Sequence, residues 1–447
     1  MGLRRKLYAE LLQWKETSRG KNALLIDGAR RVGKSYLCSE FGKNEYKTMV
    51  FIDFAHTDAA IKELFEKESV DLDLFFIKIG AFYKVQLIER ETLFVFDEVQ
   101  LFPQARQLIK YLVADGRYDY IETGSLISLK KNVQDIVIPS EEKHIEMHPL
   151  DFEEFLWAMG DEGTVPLLKA CFEKRLPLGQ MLHRKVLNDF RQYILVGGMP
   201  QAVNSYIETK DFAVVDEVKR DILTLYRNDI SKFARGYESR VKAIFDTIPG
   251  QLSKKEKKYM LSSISKDARY RAYEDAFMWL DDARVANPCF NATDPNVGLA
   301  LSQDFTTQKI YMADTGLLVT HTFSDEKYTD NDLYRAVLFD KLNVNEGMLM
   351  ENIAAQSFRA NGRKLFFYSR AVGSTREEWM EIDFLVKKKQ KICPVEVKSS
   401  SYRKHSSLDK FRTKFSAQIG DCYILYQKDV MVKDGVVHLP IYMAMFL

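Results

Sequence analysis

The hydrophobic positions of this chain change their period several times, and the changes divide it. Leu3, Leu7, Leu11, Leu12 and Trp14 fall near helical spacing, which predicts a helix within residues 1–20. From there to about residue 148, short apolar runs alternate with helical stretches. NALLID, TMVFIDF, TLFVFDE, DYIETGS and HIEMHPL read as five strands, a rhythm that predicts a parallel sheet with helices on both faces. Residues 150–225 are helical in pattern, broken at Gly197-Gly198-Met199-Pro200, and predict a small helical lid. Residues 226–320 read as helices around the turn LSKKEKKY, then an apolar hairpin from RVANPCF to QKIYMAD, which is the order of a winged helix-turn-helix. Residues 330–447 hold a helix (MLMENIAAQSFRANG), a strand (KLFFYS), a hairpin (EIDFLVKKKQKICPVEVKSS), a helix near 407–418 and a strand (DCYILYQ). This last portion is expected to be a separate α/β domain, making the whole an α/β multidomain protein with its first domain over residues 1–149.

Gly28-Ala29-Arg30-Arg31-Val32-Gly33-Lys34-Ser35 matches GxxxxGK[ST], placed directly after an apolar strand and before a helix. In that setting the glycines let backbone N–H groups wrap phosphates, Lys34 reaches the β/γ-phosphates, and Ser35 ligates Mg²⁺. The motif specifies a triphosphate and not a base. LFVFDEVQ ends a buried strand with Asp97 and Glu98, a Walker B pattern in which Asp97 holds the magnesium through water and Glu98 polarises the attacking water. The next strand ends in Glu122-Thr123-Gly124-Ser125, where a hydroxyl is placed to sense the γ-phosphate; Ser125 is the residue expected to do so.

On these residues the chain resembles a family of prokaryotic AAA-type ATPases with a P-loop core, a helical lid, a winged helix and a C-terminal nuclease-like domain. The resemblance runs through IDGARRVGKS, FVFDEVQ, ETGSLIS, MHPLDFEEFL, YILVGGMPQAV, KIYMADTGLL, GMLMENIAAQSF and EIDFLV…CPVEVKSS, in that order along nearly the whole sequence. It implies ATP and Mg²⁺ at Gly33, Lys34, Ser35 and Asp97, with Glu98 as the hydrolytic carboxylate. Where the family's sensor segment carries a small polar residue after Gly-Ser, this chain has Leu126. Arg106 and Arg117 lie near strand ends, but no spacing rule makes either an arginine finger.

Near the C-terminus, Glu381-Ile382-Asp383 and Glu396-Val397-Lys398 lie on two strands joined by the turn KKKQK. Residues i and i+2 of a strand share a face, so Glu396 and Lys398 project together and Asp383 joins them across the hairpin. The pattern matches the metal-dependent PD-(D/E)xK nucleases. Asp383 and Glu396, with Glu351 from the preceding helix, are the expected ligands of a second Mg²⁺, and Lys398 orients water or steadies the phosphate. An exposed strand ion pair is the alternative for the ExK string.

Composition narrows the partners. Lys plus Arg number 65 against 63 Asp plus Glu, a net charge of +2, so attraction to nucleic acid has to be local. Residues 227–271 carry twelve basic against five acidic residues, and residues 387–414 carry ten against two. Both segments fall in modules that the fold reading makes DNA-binding, although solvated helix faces and turns would look the same. Five cysteines without a CxxC pair fit neither a disulfide framework nor a zinc site. With no long apolar segment, a cytoplasmic protein without membrane contact is expected. DNA is the expected macromolecular partner, a protein partner of a nucleotide-dependent switch or scaffold with an inactive nuclease-like domain is the alternative, and oligomerisation is left open.

Overall fold

A computed structural model describes residues 2–67, 71–126, 137–254, 258–324, 331–332, 334, 346–370, 379–399 and 406–447. They fall into two compact units, one of residues 2–148 with 282–284, the other of residues 149–281 and 285–447.

The first unit is a five-stranded parallel sheet. Its strands are β1 (Ala23–Asp27), β2 (Thr48–Asp53), β3 (Thr92–Asp97), β4 (Asp119–Gly124) and β5 (Glu142–Glu146), in the order β2-β3-β4-β1-β5. Helices α1 (Leu7–Ser18), α2 (Lys34–Glu45), α3 (Ala59–Lys67), α4 (Leu72–Tyr83) and α5 (Pro103–Asp115) intervene. β1, β3 and β4 are buried throughout, as near-continuous apolar runs in a covered parallel sheet should be. One face packs an aromatic core in which Phe54, Phe65, Phe75, Phe76, Phe94, Phe96, Phe102 and Tyr120 are almost fully inaccessible. The consequence is a rigid sheet whose carboxyl edge carries the loops after β1, β3 and β4.

The second unit begins with α6 (Phe152–Ala158), α7 (Thr164–Lys174), α8 (Gln180–Val196), α9 (Pro200–Thr209) and α10 (Phe212–Phe233), followed by α11 (Glu238–Ser253) and α12 (Tyr270–Asp282). Asp151 starts α6 with a capping box: its carboxylate accepts the Glu154 N–H at 2.9 Å, and Glu154 returns to the Asp151 N–H at 3.2 Å. Gly198, in the break between α8 and α9, sits where a Cβ would lie 2.1 Å from the Leu150 carbonyl oxygen. Its own carbonyl accepts from Leu150 N–H, and its N–H donates to Asp314, the N-cap of α13 (Thr315–Thr322). The GGMP and ADTGLL segments are thus two halves of one joint.

Strands β6 (Ala286–Ala292) and β7 (Gln303–Met312) form the expected hairpin. It does not stand free as a wing. β6 pairs in parallel with β8 (Leu365–Arg370), and the sheet runs β7-β6-β8-β9, with β9 at Met380–Ile382. The expected division between residues 320 and 330 is therefore crossed by a shared sheet, because β6 finds its second hydrogen-bonding edge in β8. A further sheet joins β10 (Phe384–Lys388), β11 (Lys391–Val397), β12 (Cys422–Tyr426), β13 (Met431–Lys433) and β14 (Val436–Pro440) in the order β10-β11-β12-β14-β13. Helices α14 (Glu346–Ala360) and α15 (Ser406–Lys414) complete the unit. Residues 255–257 of the LSKKEKKY turn and 400–405 of the second basic segment lie outside the described residues. No helix among the described residues is long and apolar enough to cross a membrane.

A buried lysine ties these helices together. Lys219 of α10 is fully inaccessible and donates to the Leu195 carbonyl at 2.7 Å, the Gly316 carbonyl at 3.3 Å and the Tyr334 hydroxyl at 3.1 Å. Burial lowers its pKa to about 8, against the pull of Asp216 and Asp314. Lys219→Met should cost about 3 kcal/mol of stability, since it strands two buried carbonyls and removes a cation from between Asp216 and Asp314. The unfolded chain keeps this proton up to an ordinary lysine pKa of 10.5, so raising pH from about 8 favours the folded wild type. Denaturant midpoints near pH 7.5 and near pH 9.5 should show the wild type gaining on the variant at the higher pH.

Candidate functional site

The loop between β1 and α2 is shaped by close approach and by two left-handed residues. A Cβ on Gly28 would lie 2.4 Å from the Met147 carbonyl oxygen, so a larger residue would push the loop off β5. Arg31 (φ 70°) and Gly33 (φ 96°) turn the chain back so that α2 begins at Lys34 with its amino end at the loop. Ala29 and Val32 are buried beneath the turn, while Arg31 is exposed and Arg30 half-exposed. The expected loop residues thus form one cradle.

Lys34 folds into that cradle. Its ammonium donates to the Gly28 and Ala29 carbonyls, each at 2.9 Å, and is itself buried. Burial depresses its pKa, while Glu98, Asp27 and Asp97 pull the other way. An anion offering oxygens in place of the two carbonyls would relieve this burial.

Asp97 ends β3 at the centre of the site. Ser35 Oγ lies 2.8 Å from both of its carboxylate oxygens, and the Thr123 hydroxyl donates to Oδ1. Burial raises the Asp97 pKa, and the two hydroxyls hold it down. One carboxylate and one hydroxyl, both hard oxygen donors, suit a Mg²⁺ that keeps most of its waters and takes the rest from a nucleotide. Ser35 and Asp97 would hold it, and the ion would supply neutralisation of phosphate charge.

Glu98 adopts a left-handed conformation (φ 54°), which costs a non-glycine residue about 1 kcal/mol. The turn lifts its side chain out of the strand, half-buried, where Gln100 donates to Oε2. Its N–H donates to Thr123 Oγ1 at 3.3 Å. Thr123 therefore bridges Asp97 and Glu98 from the neighbouring strand. Ser125, the expected sensor, is buried one turn beyond, with Leu126 in a left-handed conformation after it. A strand's alternation puts Thr123 and Ser125 on one face, so it does not choose between them; the contact with Asp97 does.

Three other groups complete the picture. Arg106 is buried and makes a bidentate pair with Glu142 at 2.8 and 2.7 Å, and Arg117 pairs with Asp115 and Asp73, so both are committed inside the unit. Arg284, within the segment 282–284 of the first unit, donates to Asp27 at 3.1 Å and lies 3.4 Å from Glu146. No sequence signal pointed to it.

In the second unit, Glu351, Asp383, Glu396 and Lys398 come together. Lys398 pairs with Glu396 at 2.9 Å, and Asp383 Oδ2 accepts from the Val397 N–H at 2.9 Å. Burial alone would lower the Lys398 pKa, but Glu396, Asp383 and Glu351 raise it. Two residues missed by sequence reasoning join them: Lys309 of β7, 3.3 Å from Glu381, and Tyr311, which donates to Glu351 at 3.2 Å. Their signal is a K-x-Y pair on one face of a buried strand. Among the described residues no group of three or more His, Cys, Asp or Glu side chains is placed to hold a metal ion.

Residues 20–156 match the profile of an AAA domain, residues 187–327 that of a domain of unknown function (DUF8612), and residues 346–443 that of another domain of unknown function (DUF4143). No curated protein matches the chain. Among solved structures, the Walker-type ATPase of Pyrococcus abyssi is 15% identical, with a TM-score of 0.43 over 72% of this chain and 96% of that one. The Aeropyrum pernix ORC1 protein in complex with DNA is 11% identical (TM-score 0.29, 73% and 94% covered), and AMPPCP-bound DnaA from Aquifex aeolicus 12% identical (TM-score 0.27, 62% and 87%). These scores are too low to equate whole folds. Loop geometry and the matched profile together make the first unit an AAA-type P-loop domain equipped to bind nucleotide.

Proposed function

We propose that this chain is a Mg²⁺-dependent ATPase whose nucleotide state governs DNA binding by its C-terminal half. The observation that carries the reading is the contact of Ser35 with Asp97 beside the buried Lys34, with Glu98 turned out next to them. Lys34 leaves its two carbonyls for the β/γ-phosphates, where its charge is better compensated. Glu98 accepts a proton from the attacking water, Gln100 fixes the direction of that carboxylate, and Thr123 holds the Glu98 backbone through its N–H. Thr123, touching both acids, is the better candidate than Ser125 for reading the γ-phosphate.

DNA binding is supported by exposed charge. Lys232, Arg235, Arg240, Lys242, Lys254, Lys258, Lys266, Arg269 and Arg271 are exposed in one basic segment, and Lys387, Lys388, Lys389, Lys391, Lys410, Arg412 and Lys414 in the other. Cations of this kind bind phosphates through counterion release and without sequence preference. The rival reading, a nucleotide-dependent scaffold for a protein partner with an inactive nuclease-like domain, draws support from the lysine among the C-terminal acids.

Lys34→Ala should abolish ATP binding in a fluorescent-nucleotide titration. Glu98→Gln keeps the metal donors, so it should still bind while turnover falls about 100-fold; wild-type turnover in that variant would remove Glu98 from the reaction. Duplex or single-stranded DNA should stimulate turnover at low salt and lose its effect at high salt. DNA-independent turnover at every salt concentration would leave the scaffold reading standing.

A further inference from the structure

Lys309 is a lysine in the buried half of β7, with 7% of its side chain exposed. Its ammonium lies 3.3 Å from Glu381 Oε1, 3.7 Å from Glu351 Oε2 and 3.7 Å from Asp383 Oδ1. The three acids come from β9, from α14 and from the residue between β9 and β10, so separate elements build one cation-binding point. Tyr311, two residues on and on the same strand face, supplies a hydroxyl to Glu351.

A divalent ion in such a cluster would need several carboxylate oxygens within about 2.0–2.6 Å of one point. The point that Glu351, Glu381 and Asp383 share already holds an ammonium. Its charge faces all three carboxylates, one at 3.3 Å and two at 3.7 Å, and a divalent ion at the same point would have to displace it. Burial would strip a lone lysine of its proton, but Glu351, Asp383 and Glu381 outweigh that and raise the Lys309 pKa. The charge is permanent across physiological pH.

We infer that Lys309 is the resident cation of the point shared by Glu351, Glu381 and Asp383, so that these three acids hold no divalent metal there. The four acids and two lysines form a closed ionic network. Whatever this domain does, it does without metal-assisted hydrolysis at these residues.

The test uses the full chain, stripped of metal and free of nucleotide, with Mn²⁺ binding followed by electron paramagnetic resonance. Wild type should show no Mn²⁺ site that Glu351→Gln removes. Lys309→Met keeps the length of the side chain and deletes the charge; it should gain about one equivalent of Mn²⁺, lost again on adding Glu351→Gln. Its thermal midpoint should fall in EDTA and recover with Mn²⁺, a rescue that a merely space-filling lysine would not show. Lys309→Arg should bind none. A wild-type Mn²⁺ site abolished by Glu351→Gln would overturn the inference, as would a folded Lys309→Met chain that neither binds nor is rescued. Should Lys309→Met not fold even with Mn²⁺, the wild-type comparison with Glu351→Gln decides alone.

Discussion

The Asp97 carboxylate is the constraint around which the first unit is arranged. A buried carboxylate at the end of a central strand is costly unless donors surround it. Here Ser35 reaches it from the first turn of α2 and Thr123 from the end of β4, so one charge fixes a loop, a helix and two strand ends at once. Because the donors are hydroxyls rather than ammonium groups, the site stays short of positive charge. That shortage leaves the site open to positive charge brought from solution.

The second acid cluster solves the same electrostatic problem in the opposite way. Glu351, Glu381 and Asp383 receive their positive charge from within the chain. The first site has its acids at the end of a buried strand and the second gathers them from a helix and a strand junction, and the sequence patterns that mark them look equally functional. What separates them is whether the compensating charge is covalently supplied or must be brought from solution.

Local chemistry was legible and distant pairing was not. The GARRVGKS loop could be read because each residue's role follows from its neighbours: a strand before it, a helix after it, small residues where the backbone turns. β1, β2 and β3 of the first sheet stood out as short apolar runs, and Glu396 with Lys398 followed from the alternation of a strand. Lys309 was harder to find, since its partners lie on other elements and the K-x-Y pair of KIYM names none of them. The three-residue strand β13 escaped for lack of length, and β14, as long as β12, escaped with it. The choice between Thr123 and Ser125 turned on which hydroxyl faces Asp97, a fact of register between strands rather than of sequence.

The pairing of β6 with β8 bears on how the chain reaches its native state. Cys289 faces Leu365 and Asn291 faces Phe367 across a parallel ladder. During synthesis the β6–β7 hairpin emerges first and must wait, with one edge of β6 unsatisfied, until more than 50 further residues have left the ribosome. An open edge of that kind recruits other chains. A fragment ending near residue 320 would keep it permanently. The contiguous stretch that looks like a portable module is therefore half of a sheet, and its solubility is on loan from the C-terminal residues.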